Sequence, residues 1–144
     1  MSAISQVLQL QKAFLSSPYF AVAGASKIQS KYGTKVLKWY LGRGLKVQPV
    51  HPREAELEGI KTIRSLEALP SPTETSLSII TPPPVTLNIL KQVESLSIPY
   101  VWLQPGAEDA QVIKFIEENS MENNVVYGGP CILRDGDRIR SMNS

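Results

Sequence analysis

The sequence predicts an α/β fold, a doubly wound parallel sheet of five strands with a helix ahead of the first. Three observations predict it. Short apolar runs of strand length alternate with longer stretches whose apolar residues recur at three and four positions, and parallel neighbours joined by helical crossovers are what that alternation builds. The stretch "YFAVAGASKIQSKYGTKVLKWYL" passes from a buried strand through a glycine-containing loop into an amphipathic helix. Finally, 144 residues with 42% apolar and 19% charged side chains suit one compact domain, residues 1–144 with a core of about 19–134.

The elements follow in order. Ile4, Val7, Leu8, Leu10, Phe14 and Leu15 mark an opening helix that ends before Pro18. Tyr19 to Ala23 is a strand buried on both faces and closed by Gly24. Val36, Leu37, Tyr40 and Leu41 recur at helical spacing, and "GRG" at Gly42 to Gly44 stops that helix. "LKVQPV", Leu45 to Val50, is the second strand, ended by "HPRE". "RSLEALPSP" reads as a short helical turn closed by prolines, "SLSII" at Ser76 to Ile80 as the third strand, and "TPPP" at Thr81 to Pro84 as its stop. Val85, Ile89, Val93 and Leu96 give the next helix, and "YVWL" at Tyr100 to Leu103 the fourth strand. "QPGAED" is a loop with an acidic helix start, followed by the helix of Val112, Ile113 and Ile116. "NVVYGG", Asn124 to Gly129, closes the series as the fifth strand, and the polar tail "RDGDRIRSMNS" is expected to lie on the surface or fray.

Composition narrows the function. A net charge of +2, with Lys and Arg scattered rather than clustered, argues against nucleic acid as a partner. A single cysteine, Cys131, excludes an intrachain disulfide, and a single histidine excludes a multi-histidine metal site, so no metal is expected and a reducing, cytoplasmic home is. No apolar run approaches the roughly 18–20 residues that span a bilayer, so no membrane association is expected.

In doubly wound sheets, ligands bind beyond the carboxyl ends of the strands where strand order reverses, and the first strand-to-helix turn borders that crevice. Unpaired N–H groups at the helix start favour an anion there. Gly24 allows a sharp turn and close approach of a ligand, and the Ser26 hydroxyl adds a donor. The loop is not the dinucleotide turn G-x-G-x-x-G: Ala25 and Ser26 stand where the second glycine would fall, and Gly33 comes several residues late. Nor does the second strand end on the acid that accepts from an NAD ribose. Arg53 stands in "VHPRE" with Glu54 after it, and an arginine suits a phosphorylated ribose, as in NADP or coenzyme A.

With these motifs the chain resembles the small stand-alone CoA-binding proteins, relatives of the nucleotide-binding domain of succinyl-CoA synthetase alpha subunits, over about Tyr19 to Arg134. "VAGAS" is similar to that family's G-x-S turn, "VHPRE" to its V-N-P-[RK] element, "TPPP" to its proline segment, "VWLQPGAED" to its W-[LF]-Q-x-G segment and "GGPCI" to its closing cysteine segment. The resemblance implies a Rossmann-like CoA-binding fold in which Gly24, Ala25 and Ser26 hold the pyrophosphate and Lys31 stands where a basic residue is frequent. It places Arg53 facing the ribose phosphate, Thr81, Pro82 and Pro83 lining the adenine side, and Gln104 and Gly106 near the pantetheine arm. The chain departs from the pattern at His51, where asparagine is usual, and at Gly128 and Gly129, where an acid and a base are common.

His51 has no second acid or base placed with it and reads as non-catalytic. Trp39 and Trp102 read as core, and Cys131 as a small buried hydrophobe unless it exchanges with the thiol of a bound CoA. No nucleophile, carboxylate pair or metal cluster is evident, so the expected function is binding of CoA or an acyl-CoA by a non-catalytic sensor, carrier or regulatory module. Two alternatives stay open: a minimal NADP-dependent reductase with Tyr32 or Tyr127 as proton donor, and an interaction protein without a ligand. Whether the chain forms a homodimer or serves a protein partner also stays open.

Overall fold

The computed structural model describes residues 3–143, with side chains from residue 6 onward, so the Ile4 of the expected opening helix lies outside the described side chains. The elements are α1 (Ala3–Leu15), β1 (Tyr19–Ala23), α2 (Tyr32–Gly42), β2 (Val47–Val50), β3 (Glu56–Leu57), β4 (Ile60–Lys61), β5 (Thr75–Ile79), α3 (Pro83–Leu96), β6 (Tyr100–Leu103), α4 (Ala110–Glu118), β7 (Val125–Val126) and α5 (Ile132–Met142). Five strands form one parallel sheet in the order β2-β1-β5-β6-β7, and β3 and β4 form a separate antiparallel ribbon.

Alternation along each strand decides which face a side chain serves. Ala21 and Ala23 of β1 and Leu77 and Ile79 of β5 pack with Leu90 and Val93 of α3 and with Val112 and Ile116 of α4. Phe20 and Val22 point the other way, into a cluster with Phe14 of α1, Val36, Leu37 and Tyr40 of α2, and Ile132 and Ile139 of α5. Helices on both faces are the doubly wound arrangement, and they explain why β1 is an apolar run and why every residue of β5 is buried although its sequence, TSLSI, alternates hydroxyl and aliphatic side chains. Two serines of β5 are buried and paired: Ser76 Oγ donates to Phe14 O at 2.7 Å, and Ser78 Oγ lies 2.7 Å from Tyr40 Oη. The hydroxyls therefore carry no unmet desolvation cost.

Three elements differ from expectation. The segment Arg64 to Pro72 holds the expected short helical turn, a 3-10 turn at Leu66–Ala68, and begins another at Pro72–Glu74, but an antiparallel β3–β4 ribbon precedes it where no strand is expected. The last strand is two residues long. The C-terminal segment is a packed helix rather than a loose tail: Ile132, Gly136 and Ile139 are buried, and a Cβ at Gly136 would fall 2.4 Å from the Trp39 ring. Arg43, the C-cap of α2, ties α5 down through Asp137 at 2.6 Å, while its guanidinium stacks 4.4 Å from the Trp39 ring centroid.

Candidate functional site

β1 neighbours β2 on one side and β5 on the other, so the chain changes winding direction between β1 and β5. The turn after β1 emerges at that point, and sterics fix its shape. Gly24 has φ +119°, and a Cβ there would lie 2.0 Å from the carbonyl oxygen of Ile80 at the end of β5. Gly33, in the first turn of α2, is held as closely: its Cβ would lie 2.2 Å from the Gly24 carbonyl oxygen. The start of α2 therefore rests directly on the Gly24 turn, and only hydrogen fits at either position.

The loop between them is clamped. Thr34 Oγ1 donates to Ser26 O at 2.8 Å and receives Ser26 N–H at 3.2 Å, while Ser26 Oγ accepts from Ile28 N at 3.1 Å. Lys27 pairs with Glu54 at 2.9 Å, and Gln29 donates to Glu58 Oε2 at 2.8 Å, so the loop is tied to the segment after β2. The hydrogen bond from Lys27 holds the Glu54 carboxyl below the ordinary carboxylate range, and the same contact raises Lys27. The N-cap of α2 is Lys31, whose side chain caps nothing, and the opening N–H groups of a helix have no intrahelical acceptor.

The helix on the other side of the switch point begins differently. The N-cap of α3 is Pro82, and its first two residues, Pro83 and Pro84, have no N–H. The next two N–H groups, of Val85 and Thr86, both donate to Pro82 O, at 2.9 and 3.0 Å. This start presents proline rings and the exposed Val85 instead of donors.

Between the Gly24 turn and the start of α3 lies a cleft of about 450 Å³ at the carboxyl ends of β1, β2 and β5. Gly24, Ala25, Ser26, Thr81 and Pro82 of the expected site line it together. Lys31, Arg53, Pro83, Gln104 and Gly106 are not among its lining residues: Lys31 and Arg53 are exposed, Pro83 opens α3, and Gly106 is exposed in the loop after β6. Arg64, Ser65 and Gln92 also line the cleft, with no signal in the sequence to mark them, and so do Val85 and Ile89, which helical spacing assigns to the core face of α3. A second hollow, about 280 Å³ between Lys46, Gln48 and Pro70, opens at the amino ends of the strands and holds no comparable turn.

His51 also lines the cleft, yet its Nδ1 accepts the N–H groups of Arg53 at 3.0 Å and Glu54 at 2.9 Å. It closes the turn after β2 as a side-chain acceptor two and three residues upstream, the geometry that asparagine commonly supplies.

Further along the same edge, Gln104 directly follows β6 and has no solvent exposure. Its Oε1 accepts Ile132 N–H at 3.0 Å and the Tyr32 hydroxyl at 3.4 Å, and its Nε2 is buried without a partner. The Tyr32 hydroxyl also meets the thiol of Cys131, a half-buried residue at the N-cap of α5. Burial first, and the contact with Cys131 second, push the Tyr32 phenol above its ordinary range. Tyr32 adjoins Gly33, so this cluster is one residue removed from the contact that anchors the Gly24 turn. Among the described residues no group of three His, Cys, Asp or Glu side chains could hold a metal ion, and no helix is long and apolar enough to cross a membrane.

Against known proteins, the model of a family described as CoA binding domain matches residues 19–137. The chain belongs to the CoA-binding domain family. It is 34% identical to a conserved hypothetical protein from Pyrococcus furiosus whose structure is solved, with a TM-score of 0.73, covering 81% of this chain and 97% of that one. A Thermus thermophilus protein of known structure is 30% identical over 92% of this chain and 98% of its own, with a TM-score of 0.76. An acetyl-coenzyme A synthetase from Ca. Korarchaeum cryptofilum shares the fold at 22% identity and a TM-score of 0.69, over 85% of this chain but 27% of the synthetase. No curated protein matches. The family match supports a small-molecule nucleotide, CoA, as the ligand class, and the five-stranded Rossmann-like architecture agrees with the expectation from sequence.

Proposed function

We propose that the protein binds coenzyme A or an acyl-CoA in the cleft at the switch point, as a cytoplasmic sensor, carrier or regulatory module without a catalytic centre of its own. The observation that carries this reading is the contact of Gly33 with the Gly24 carbonyl, which presses the uncapped start of α2 against the turn that lines the cleft. The N-terminal end of that helix favours an anion. The pyrophosphate sits against Gly24, Ala25 and Ser26, with Lys31 adding positive charge from the helix N-cap. The adenosine lies along Thr81, Pro82 and Pro83, where the proline-capped start of α3 offers apolar surface and no competing donors. The ribose phosphate points toward the end of β2 and its arginines, and the pantetheine arm runs along the edge toward Gln104 and Gly106.

Among the described residues, the lining of the cleft includes no carboxylate and no thiol, which supports binding rather than chemistry there. The test is calorimetric titration of the nucleotide-stripped protein with CoA, acetyl-CoA, NADP and NAD, preceded by native mass spectrometry of the unstripped sample. Saturable binding of CoA and not NADP is expected. NADP binding alone would replace this reading with a reductase, and silence with all four ligands would leave an interaction protein.

A further inference from the structure

Among the described residues, Arg64 is the one lysine or arginine that lines the cleft, and no acidic side chain lines it. No ion pair occupies Arg64 among the described residues, whereas Lys27 is engaged by Glu54 and Arg43 by Asp137. Its backbone is set by the sheet: Ile63 bridges Val50 of β2 in parallel, with His51 N donating to Ile63 O at 2.9 Å and Ile63 N donating to Pro49 O at 3.1 Å. Arg64 thus follows a residue paired to the end of β2, which fixes where its side chain starts. Arg53, which the strand-end argument favours, lies in the turn closed by His51, exposed and outside the lining. The next residue, Glu54, is held in its ionised form by Lys27, so a carboxylate stands beside Arg53.

From this placement we infer that Arg64 is the residue that reads the phosphate on the ligand's ribose and thereby sets specificity for the phosphorylated nucleotide over its dephospho form. The inference rests on the proposed CoA site. A guanidinium is suited to the task because its planar fork makes two parallel, charge-assisted bonds to a phosphate. Ser65, the next lining residue, places a hydroxyl beside it that can donate to the same group. An unpaired cation facing a cleft without lining carboxylates has no internal competitor for an anion, whereas Lys27 must first exchange Glu54, and Arg53 lies outside the lining.

The test is calorimetric titration of the full chain and of Arg64→Ala, Arg64→Lys and Arg53→Ala with CoA and with dephospho-CoA. Wild type is expected to prefer CoA. Arg64→Ala should lower CoA affinity by about ten- to a hundredfold while changing dephospho-CoA by less than about twofold. Arg64→Lys should recover part of the preference, since it restores the charge and not the fork, and Arg53→Ala should leave most of the preference intact. Because Arg64 is exposed, its variants should melt with wild type, which separates a binding loss from a folding loss. Three results would overturn the assignment: Arg53→Ala erasing the preference while Arg64→Ala keeps it, Arg64→Ala weakening both ligands equally, or wild type binding both equally. The last leaves the CoA site standing without a phosphate reader. Wild type binding neither ligand would instead remove the proposed function itself.

Discussion

Gly33 and Gly42 lie in the same helix, and one substitution tested at both positions isolates the contact that builds the site. In an ordinary helix, alanine is preferred to glycine by about 1 kcal/mol. At Gly42 a Cβ would meet nothing within 4 Å, so Gly42→Ala should stabilise the protein by roughly 0.5 kcal/mol, reduced from the full value because the position ends the helix. At Gly33 the same methyl would stand 2.2 Å from the Gly24 carbonyl oxygen and 2.7 Å from its carbon. Ordinary carbon–oxygen contact begins near 3.3 Å, so about 1 Å of retreat is required. The neighbour is backbone in a turn that is itself pressed against Ile80, and it cannot rotate aside. Overpacking of this kind typically costs about 1–3 kcal/mol, which outweighs the gain in propensity. Gly33→Ala should therefore lose about 2 kcal/mol, or roughly 4–8 °C in Tm for a domain of this size, while Gly42→Ala rises slightly. Thermal melts followed by far-UV circular dichroism measure both, and CoA titration of folded Gly33→Ala should show weakened binding because the helix start no longer rests on the turn. Gly33→Ala melting at or above wild type would refute the reasoning.

Two further outcomes are expected. His51→Asn should hold stability within about 0.5 kcal/mol, since a side-chain acceptor for the N–H groups of Arg53 and Glu54 is kept, whereas His51→Leu should cost about 1 kcal/mol in urea unfolding; equal losses would show that the turn does not need the acceptor. Asp135 supplies the acid response: the hydrogen bond from Arg134, above all, lowers its pKa in the folded state. A depressed carboxylate pKa contributes stability above the unfolded value near 4, and that contribution is lost as pH falls through the folded value. Asp135→Asn should thus be less stable than wild type at pH 6, by no more than about 1 kcal/mol given the exposure of Arg134, with the gap closing below the folded pKa. A gap that persists unchanged at pH 2 would place the effect elsewhere.

What the sequence made legible was whatever periodicity and punctuation encode locally. β1 is buried on both faces and appears as an apolar run; the glycine after it and the prolines that open α3 mark their turns without ambiguity. The missed features depend on pairing at a distance. α5 places Ile132, Gly136 and Ile139 on one face, but charged residues surround them, and the glycine reads as a helix breaker until Trp39 is known to fill the space above it. β7 is too short to declare its own ends. Arg64 follows a polar stretch with no strand signal of its own, and only the bridge between Ile63 and Val50 brings it to the cleft. Arg53 is next to a strand end in sequence, but adjacency along the chain is blind to a second segment laid alongside that strand.

The two helix starts that flank the switch point explain why a ligand would enter in one orientation. Were both ordinary, each would offer unpaired donors and a positive dipole end, and a pyrophosphate would meet two equivalent sites. The chain makes them unequal with three consecutive prolines: Pro82 supplies the carbonyl that takes up the N–H groups of Val85 and Thr86, and Pro83 and Pro84 have none to give. The start of α2 keeps its donors because Lys31 caps none of them, and Gly33 lets them approach the turn. Under the proposed function, the anion therefore has one place to bind and the apolar ring face has the other. Replacing Pro83 and Pro84 by alanine tests this division: it frees no N–H that Pro82 already holds, but it adds two new donors at the adenine side. CoA affinity should fall if the proline rings supply contact, and inorganic pyrophosphate should gain a second site if donor removal is what keeps anions away. Unchanged CoA affinity together with a single pyrophosphate site would mean that the asymmetry of the two helix starts has no part in orienting the ligand.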